Sequence, residues 1–158
     1  MTSPTLNLLV CLNEAHVDFI VIGGFAAAIH GCTLVTQDIE ICMDFSVDNL
    51  LRLQDALADL HPVHRMTPDK VKLNLTPETC RNLKNLYLDT DTGPLDCLSS
   101  VKGLGDYSEI AKLSQAIETD SHIFKVLRIE SLIKAKEAMN RPQDRAAITL
   151  LQSMLKLL

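Results

Sequence analysis

The chain has 158 residues, which is the size of one ordinary domain with a sizeable core and leaves no room for a second full domain. Its 47% hydrophobic and 22% charged residues are typical of a soluble globular protein. The formal net charge of −5 argues against a protein that coats nucleic acid by bulk electrostatics, although a local basic patch would still allow contact with RNA.

Neither the N-terminus nor the cysteines are typical of an exported protein. Residues 1–10 carry no basic stretch, and their short apolar run leads directly into Asn13 and Glu14, so we expect no signal peptide and no membrane span. The five cysteines are odd in number and include no CxxC pair, which favours reduced, buried thiols over a disulfide framework or a zinc site. We therefore predict a cytoplasmic protein.

The first third of the chain contains two short apolar runs separated by a glycine pair. β-branched and aromatic residues predict the strands, and leucine or alanine residues predict the helices. Gly23 and Gly24 are expected to turn the chain, and Gly31 is expected to close the helix that follows them. The predicted elements are helix 7–15, strand 19–22, helix 25–30 and strand 38–43.

The rest of the chain alternates between helical and strand patterns. Ser46 is a suitable N-cap for an amphipathic helix, and the segment 90–94 is expected to form a hairpin turn. The polar segment 61–84, broken by Pro68 and Pro77, has no clear pattern. The predicted elements are helix 47–60, strands 86–89 and 95–98, helix 107–117, strand 123–127, and helices 130–139 and 144–157.

These elements predict an α+β fold in which a small mixed β-sheet is flanked by helices. We expect a single domain over 1–158, with a core over about 17–128 and a C-terminal helical segment over about 129–158. The apolar tail 150–158 is expected to seal the core, and contact with another subunit is its alternative role.

Two carboxylates stand on the second predicted strand among apolar residues. Residues two apart on a strand point to the same face, so Asp38 and Glu40 should project together while Ile39 and Ile41 enter the core. Neighbouring carboxylates repel each other and raise each other's pKa unless a cation lies between them. Mg²⁺ prefers such hard oxygen ligands, so the pattern predicts a divalent metal site.

A third carboxylate, Asp96, stands between Leu95 and Cys97 on the later predicted hairpin. If that strand pairs beside the strand of Asp38, the three acids converge and can hold two metal ions that act on a nucleotide phosphate. Gly23 and Gly24 lie between a strand and a helix, where backbone N–H groups can approach phosphate closely.

The order of these motifs resembles the nucleotidyltransferase (polymerase β-like) superfamily, whose pattern is hG(G/S), then Dh(D/E)h, then h(D/E)h. The stretches "LYLDTDTGPLDCLSSVKGLGDYSEI" and "FKVLRIESLIKAKEAMNRPQDRAAITLL" are similar to later blocks of bacterial minimal nucleotidyltransferase proteins related to the AbiEii toxin group. The resemblance covers most of the chain, from 18 to 151.

The resemblance implies specific roles for individual residues. The acids would be catalytic and would ligate Mg²⁺ or Mn²⁺, and a second set of residues would bind the nucleotide or co-substrate. The implied metal ligands are Asp38, Glu40 and Asp96. The implied nucleotide-binding residues are Gly23, Gly24, Thr36, Lys136 and Arg141. Two departures from the family pattern are Leu34, where an arginine is common, and Glu40 in place of the commoner aspartate.

Several of these residues also have structural interpretations. Lys136 and Arg141 lie near a predicted helix end, where the helix dipole favours cations in any case. Asp144 is interpreted as an N-cap or first-turn acid of the last helix. Arg65, with Lys70 and Lys72, forms a loose basic cluster that is expected to be a solvated loop, with guidance of a phosphate-rich substrate as the alternative.

Two functional classes follow from the sequence. The first is an enzyme that transfers a nucleoside monophosphate from an NTP to a hydroxyl of a protein, an RNA or a small molecule; the three acids favour it. The second is a catalytically weak or inactive protein of the same fold, acting as a toxin–antitoxin component or nucleotide-binding interaction module; Leu34 favours it. NTP, the acceptor, a toxin–antitoxin partner or a second copy are the expected partners, and a membrane is not.

Overall fold

Seven strands form one mixed sheet in the computed structural model, which describes residues 4–32, 38–119 and 121–157. A further two-stranded sheet lies within the same described residues. The strands of the main sheet are β1 (Phe19–Ile22), β2 (Ile39–Met43), β3 (Val63–His64), β4 (Asn85–Thr90), β5 (Gly93–Leu98), β8 (Ser114–Thr119) and β9 (His122–Leu127). Those of the small sheet are β6 (Ser100–Val101) and β7 (Gly105–Asp106).

The main sheet has the order β3-β4-β5-β2-β1-β9-β8. β2 is antiparallel to β1 and parallel to β5, and β1 is parallel to β9. All four residues of β1 are buried, as expected for a short apolar strand in the middle of a sheet covered on both faces. The prediction of an α+β fold with a mixed sheet is therefore confirmed.

Helices cover the sheet and bury their apolar faces against it. They are α1 (Pro4–Glu14), α2 (Gly23–Ile29), α3 (Val47–Leu57), α4 (Pro77–Cys80), α5 (Tyr107–Lys112), α6 (Ile129–Met139) and α7 (Arg145–Leu155), with short 3₁₀ turns at Ala58–Leu60 and Pro142–Asp144. Ser46 caps α3 as predicted, because its hydroxyl accepts a hydrogen bond of 3.3 Å from the backbone N–H of Asn49. Of the helices in the described residues, none has both the length and the apolar character needed to cross a membrane.

The fully buried side chain of Asn49 fixes the ends of the two central strands. Its amide group donates to the carbonyl oxygens of Asp18 and Asp44, at 3.0 and 2.7 Å, and accepts from the backbone N–H of Asp18 at 2.8 Å. A buried amide is stable only when its donors and acceptors are satisfied, so these bonds favour one position of α3 relative to β1 and β2.

The predicted helix over 107–117 is wrong in its second half. α5 ends at Lys112, and Ser114–Thr119 is β8, which pairs with β9 along its whole length as an antiparallel edge strand. The helical spacing of Tyr107, Ile110 and Ala111 is real, but pairing with β9 decides the conformation of the following residues. The predicted turn at Gly23 and Gly24 is also wrong, because these residues already belong to α2.

Most other predicted elements are confirmed, with ends that move by a few residues. The hairpin of β4 and β5 closes through Asp91 and Thr92, between the paired residues Thr90 and Gly93. The five cysteines are free thiols, and all but Cys11 are buried. The tail seals the core in part, since Leu151 is fully buried whereas Leu157 is 86% exposed, and its contact with another subunit stays a prediction.

Candidate active site

Glu40 and Asp96 lie directly opposite each other on the central parallel strands β2 and β5. Residues in register on adjacent strands point to the same face of a sheet, so both carboxyl groups project together. Tyr87 of β4 lies opposite Asp96, and Ile22 of β1 lies opposite Glu40, which extends this row in both directions. We call Glu40 and Asp96 the carboxylate pair.

Burial is the main reason why the pKa of Glu40 is raised, and the negative charge of Asp96 adds to it. The charges of Lys136 and Arg141 act in the opposite direction and favour the ionised carboxylate. Glu40 is therefore a poorly hydrated acid near two anions, Asp96 and Asp38, and two cations, Lys136 and Arg141.

Gly23 lies against the Glu40 carboxylate. A Cβ atom added at Gly23 would be 3.0 Å from Oε2 of Glu40, and its φ of +68° is in the left-handed region that disfavours side chains. The structure thus gives a physical reason for glycine at this position, which is space for the carboxylate. Gly23 and Gly24 both line the neighbouring cavity, where the sequence predicted phosphate contacts.

The remaining predicted metal ligand, Asp38, is exposed immediately before β2, and its charge contributes to the raised pKa of Glu40. Thr36 and Leu34 lie outside the described residues. Within 4–32, 38–119 and 121–157, no group of three His, Cys, Asp or Glu side chains is arranged to hold a metal ion. The structure therefore unites Glu40 and Asp96 but does not arrange the predicted triad as a metal centre.

A cavity of about 390 Å³ opens beside Glu40, in the size range of small-molecule sites. Glu40 and Tyr87, the two register neighbours of Asp96, both line it. The rest of the lining combines apolar residues with polar and basic ones. These are Ile22, Gly23, Gly24, Asn85, Leu98, Ser100, Val101, Lys102, Leu127, Leu132, Ala135, Lys136, Met139 and Arg141.

Lys136 and Arg141 reach the cavity from α6 and from the segment that joins it to α7, and both contact the buried Asp144. Arg141 donates from Nε and Nη2 to the two carboxylate oxygens at 2.7 and 3.0 Å, and Nζ of Lys136 is 3.6 Å from Oδ1. The hydrogen bond from Arg141 is the main reason why the pKa of Asp144 is lowered. We call these three residues the Asp144 cluster.

The interpretation of Asp144 as a capping acid needs correction. Asp144 does precede α7, but its side chain makes no capping hydrogen bond there. Its carboxylate instead orients the two cations predicted to bind phosphate, because a fork-shaped guanidinium fits both oxygens of a carboxylate at once. The i,i+3 spacing from Arg141 was the sequence signal for this contact.

Arg65 contacts Asp96 of the carboxylate pair, which the sequence interpretation did not predict. Its Nη2 lies 2.5 Å from Oδ1 of Asp96, its Nη1 donates to the carbonyl oxygen of Leu88 at 3.2 Å, and its Cζ is 5.8 Å from the centre of the Tyr87 ring. The expectation of a solvated loop is therefore wrong for Arg65. No local pattern signals this contact, because Arg65 and Asp96 are 31 residues apart.

Comparison with solved structures shows which known proteins share this fold. A provisionally assigned nucleotidyltransferase from Thermotoga maritima superposes with a TM-score of 0.57 at 17% identity, covering 99% of this chain and 96% of the other. The chain has a nucleotidyltransferase fold. Two structures of ANT(2″)-Ia each superpose with a TM-score of 0.61 at 14% identity, covering 96% of this chain and 88% and 82% of theirs.

One of these structures is a complex with adenylyl-2″-tobramycin, and the other is a solution structure of the protein as an antibiotic-resistance factor. No family model matches the chain. A search of curated proteins finds no match either. At 14% to 17% identity the similarity establishes the fold alone.

The donor chemistry of the site fits a divalent metal ion. The carboxylate pair and Asp38 offer the hard oxygens that Mg²⁺ prefers, and Gly23 leaves free the space beside Oε2 of Glu40 that a side chain would fill. The contact between Arg65 and Asp96 is the feature that does not fit a metal ion, because the guanidinium of Arg65 already occupies a carboxylate that the metal would need.

Proposed function

We propose that the protein is a Mg²⁺- or Mn²⁺-dependent nucleotidyltransferase that moves a nucleoside monophosphate from an NTP to a hydroxyl group. The observation that carries this proposal is the carboxylate pair, two acids in register at the centre of a nucleotidyltransferase fold beside a cavity lined by cations. Opposite charges around one cavity suit a ligand that carries phosphate groups and reacts at one of them.

The residues have distinct proposed roles. Asp38, Glu40 and Asp96 hold the metal, which when bound supplies Lewis-acid stabilisation of the phosphate oxygens. Lys136 and Arg141, which line the same cavity, bind phosphate, and the buried carboxylate of Asp144 keeps them oriented. Gly23 and Gly24 allow the triphosphate to approach the backbone, and Thr36 belongs to the same nucleotide-binding set.

The chemical step is an in-line displacement at the α-phosphorus. The acceptor oxygen forms a bond to phosphorus, the bond to the bridging oxygen of the β-phosphate breaks, and pyrophosphate leaves with the electron pair. One of the three carboxylates would position or deprotonate the acceptor hydroxyl.

The acceptor is a protein, an RNA or a small molecule. A small-molecule hydroxyl is the class that the adenylyl-2″-tobramycin complex of ANT(2″)-Ia represents. We further propose a single-domain, cytoplasmic bacterial protein related to the AbiEii group. A toxin–antitoxin partner or a second copy of the chain would complete the surface that a macromolecular acceptor needs.

A second function is favoured by the contact between Arg65 and Asp96. A carboxylate already paired with an arginine is less available to a metal ion, and no three-residue metal group is present in the part of the chain that the structure describes. On this alternative the protein is a catalytically weak or inactive member of the fold that binds nucleotide or a partner within a toxin–antitoxin pair.

Calorimetric titration of each of the four NTPs, with and without Mg²⁺, tests the proposal on the wild type, Glu40→Gln and Asp96→Asn. We expect one NTP to bind only with Mg²⁺ and either substitution to weaken it by about tenfold or more, since each removes a negative ligand of the metal. Asp89→Asn is the matched control, because Asp89 is on β4 and pairs with the exposed Lys70.

Release of pyrophosphate from the bound NTP separates the two functions. Metal-dependent binding with slow pyrophosphate release, abolished by Glu40→Gln, supports the transferase. Binding without release, even with cell extract as a source of acceptors, supports the binding module. If no NTP binds at millimolar concentration, both functions are wrong.

A further inference from the structure

Arg65 is the basic residue that contacts the carboxylate pair directly. It follows the short edge strand β3, and its backbone N–H donates to the carbonyl oxygen of Tyr87 at 2.8 Å. From there its side chain crosses β4 and reaches Asp96 on the next strand. The contact therefore depends on the pairing of three strands.

Arg65 remains attached to this edge of the site independently of Asp96. One guanidinium nitrogen, Nη1, donates to the carbonyl oxygen of Leu88, and the guanidinium also lies near the Tyr87 ring. An arginine held in this way has lost much of its side-chain freedom before it meets Asp96, so less entropy is lost when the ion pair forms.

The contact with Asp96 is partly shielded from water. The side chains of Arg65 and Asp96 are 27% and 19% exposed, and the nitrogen to oxygen distance is 2.5 Å. A shielded charge pair is stronger than a surface pair, and neither group can lose its partner without cost. Asp96 is thus neutralised by the protein itself, directly opposite Glu40.

A divalent ion and a guanidinium group would compete for this carboxylate. Both are positive, both seek the oxygen lone pairs of Asp96, and repulsion between them is large at short distance in a shielded site. We propose that Arg65 is an internal competitor of the divalent metal: it holds Asp96 when the metal is absent, and metal binding displaces it. The inference rests on the proposed function, because it presupposes a metal at Glu40 and Asp96.

Titration with Mn²⁺ without nucleotide, followed by the electron paramagnetic resonance signal of free Mn²⁺, tests this competition. We expect Arg65→Met to bind Mn²⁺ about tenfold more tightly than the wild type, because a competing positive charge is removed. Arg65→Lys keeps the positive charge but loses the fork of donors that contacts both Leu88 and Asp96, so its affinity should lie between those of the wild type and Arg65→Met. Lys70→Met is the control, since it removes a cation that pairs with Asp89 and leaves Asp96 untouched.

A second measurement uses the wild-type protein and does not depend on the stability of the variants. The Nε–Hε resonance of Arg65, assigned by its loss in Arg65→Lys, should move during a Mg²⁺ titration and saturate together with the backbone resonances of Glu40 and Asp96. Displacement of the guanidinium from Asp96 is the cause of this movement. An Arg65 resonance that stays in place while the others move would overturn the inference.

The outcomes separate this inference from the proposed function. Equal Mn²⁺ affinity of the wild type and Arg65→Met shows that Arg65 does not compete, and the metal-dependent function then stands without it. If none of the proteins binds Mn²⁺, even with the NTPs present, the metal site itself is absent and both proposals are wrong. An increase in Lys70→Met equal to that in Arg65→Met would assign the effect to net charge and also overturn the competition.

Discussion

Two arginine–aspartate pairs lie near the cavity, and they differ in how the chain makes them. Arg141 and Asp144 are three residues apart and are joined by two hydrogen bonds, with Lys136 as a further cation. Arg65 and Asp96 are 31 residues apart and are joined by one hydrogen bond across the sheet. The first pair forms within one short segment and uses both oxygens of its carboxylate, whereas the second depends on strand pairing.

The pair with more hydrogen bonds, Arg141 and Asp144, also has the more buried carboxylate. The carboxylate side chain of Asp144 is 6% exposed and both of its oxygens are engaged by Arg141, whereas Asp96 is less buried and faces Glu40. A buried carboxylate with a full set of donors is a structural group, because removing one partner leaves charges without compensation. The less buried pair at Asp96 is the one at which we propose exchange of the guanidinium for a metal ion.

The largest expected effect is the loss of stability in Asp144→Asn. This substitution leaves Arg141 and Lys136 without their common anion, so we expect the free energy of unfolding to fall by about 2 to 3 kcal/mol. Asp96→Asn should cost about 1 kcal/mol, since that pair is less buried and singly bonded. Urea denaturation measures both. Equal losses would show that the two pairs are energetically alike and would remove the distinction between them.

A smaller effect is expected on the Glu40 side of the cavity, in Gly23→Ala. The new Cβ would lie 3.0 Å from the Glu40 carboxylate, and the alanine would have to keep a positive φ. We therefore expect the free energy of unfolding to fall by about 1 to 2 kcal/mol. Gly24→Ala is the matched control, because Gly24 lies in the same helix and outside the positive-φ set. There alanine should be neutral or stabilising by up to about 1 kcal/mol. Gly23→Ala should therefore lower the temperature of thermal unfolding, and Gly24→Ala should leave it unchanged or raise it.

A double-mutant cycle compares the two pairs directly. The coupling energy between Arg65 and Asp96, from Arg65→Met, Asp96→Asn and the double variant, should be about 1 kcal/mol. The same cycle with Arg141→Met and Asp144→Asn should give a larger value, because that contact is bidentate. A larger coupling at Arg65 would mean that Asp96 is held too firmly for exchange with a metal ion.

The smallest expected effect is on the pH dependence of stability, to which Asp144 and Glu40 contribute with opposite signs. Asp144 has a lowered pKa, so its contribution is present above the unfolded value near 3.9 and is lost as the pH falls through its folded pKa. Glu40 has a pKa raised above 4.5, so its ionised form costs stability at neutral pH, and this cost is relieved as the pH falls through the raised value.

Unfolding curves of the wild type, Glu40→Gln and Asp144→Asn between pH 3 and pH 8 measure these contributions. The stability of the wild type relative to Glu40→Gln should rise as the pH falls towards 4.5. Its stability relative to Asp144→Asn should hold until about pH 4 and then fall. Parallel curves for all three proteins would mean that neither carboxyl changes its pKa on folding.

Local features of the sequence predicted most of the elements and part of the site. The apolar run of β1, the capping hydroxyl of Ser46 and the hairpin of β4 and β5 need only a few consecutive residues to be recognised. The same holds for Glu40 and Asp96, which stand out because acids are rare on buried strands. The resemblance to the superfamily pattern then implied that the two acids belong to one site.

Two of the predictions that were wrong share a physical cause, which is contact between distant parts of the sheet. β8 is a strand because β9 supplies its hydrogen-bond partners. Arg65 contacts Asp96 only because β3, β4 and β5 are neighbours in the sheet.

The sequence by itself determined the secondary-structure periodicity and the identity of the acids, because side-chain alternation and capping act over a few bonds. The tertiary structure decided which charges meet: strand order set Glu40 opposite Asp96, and edge pairing brought Arg65 to Asp96. Electrostatic partners are chosen by distance in space, and the distance between two strands is fixed only when the whole sheet has formed.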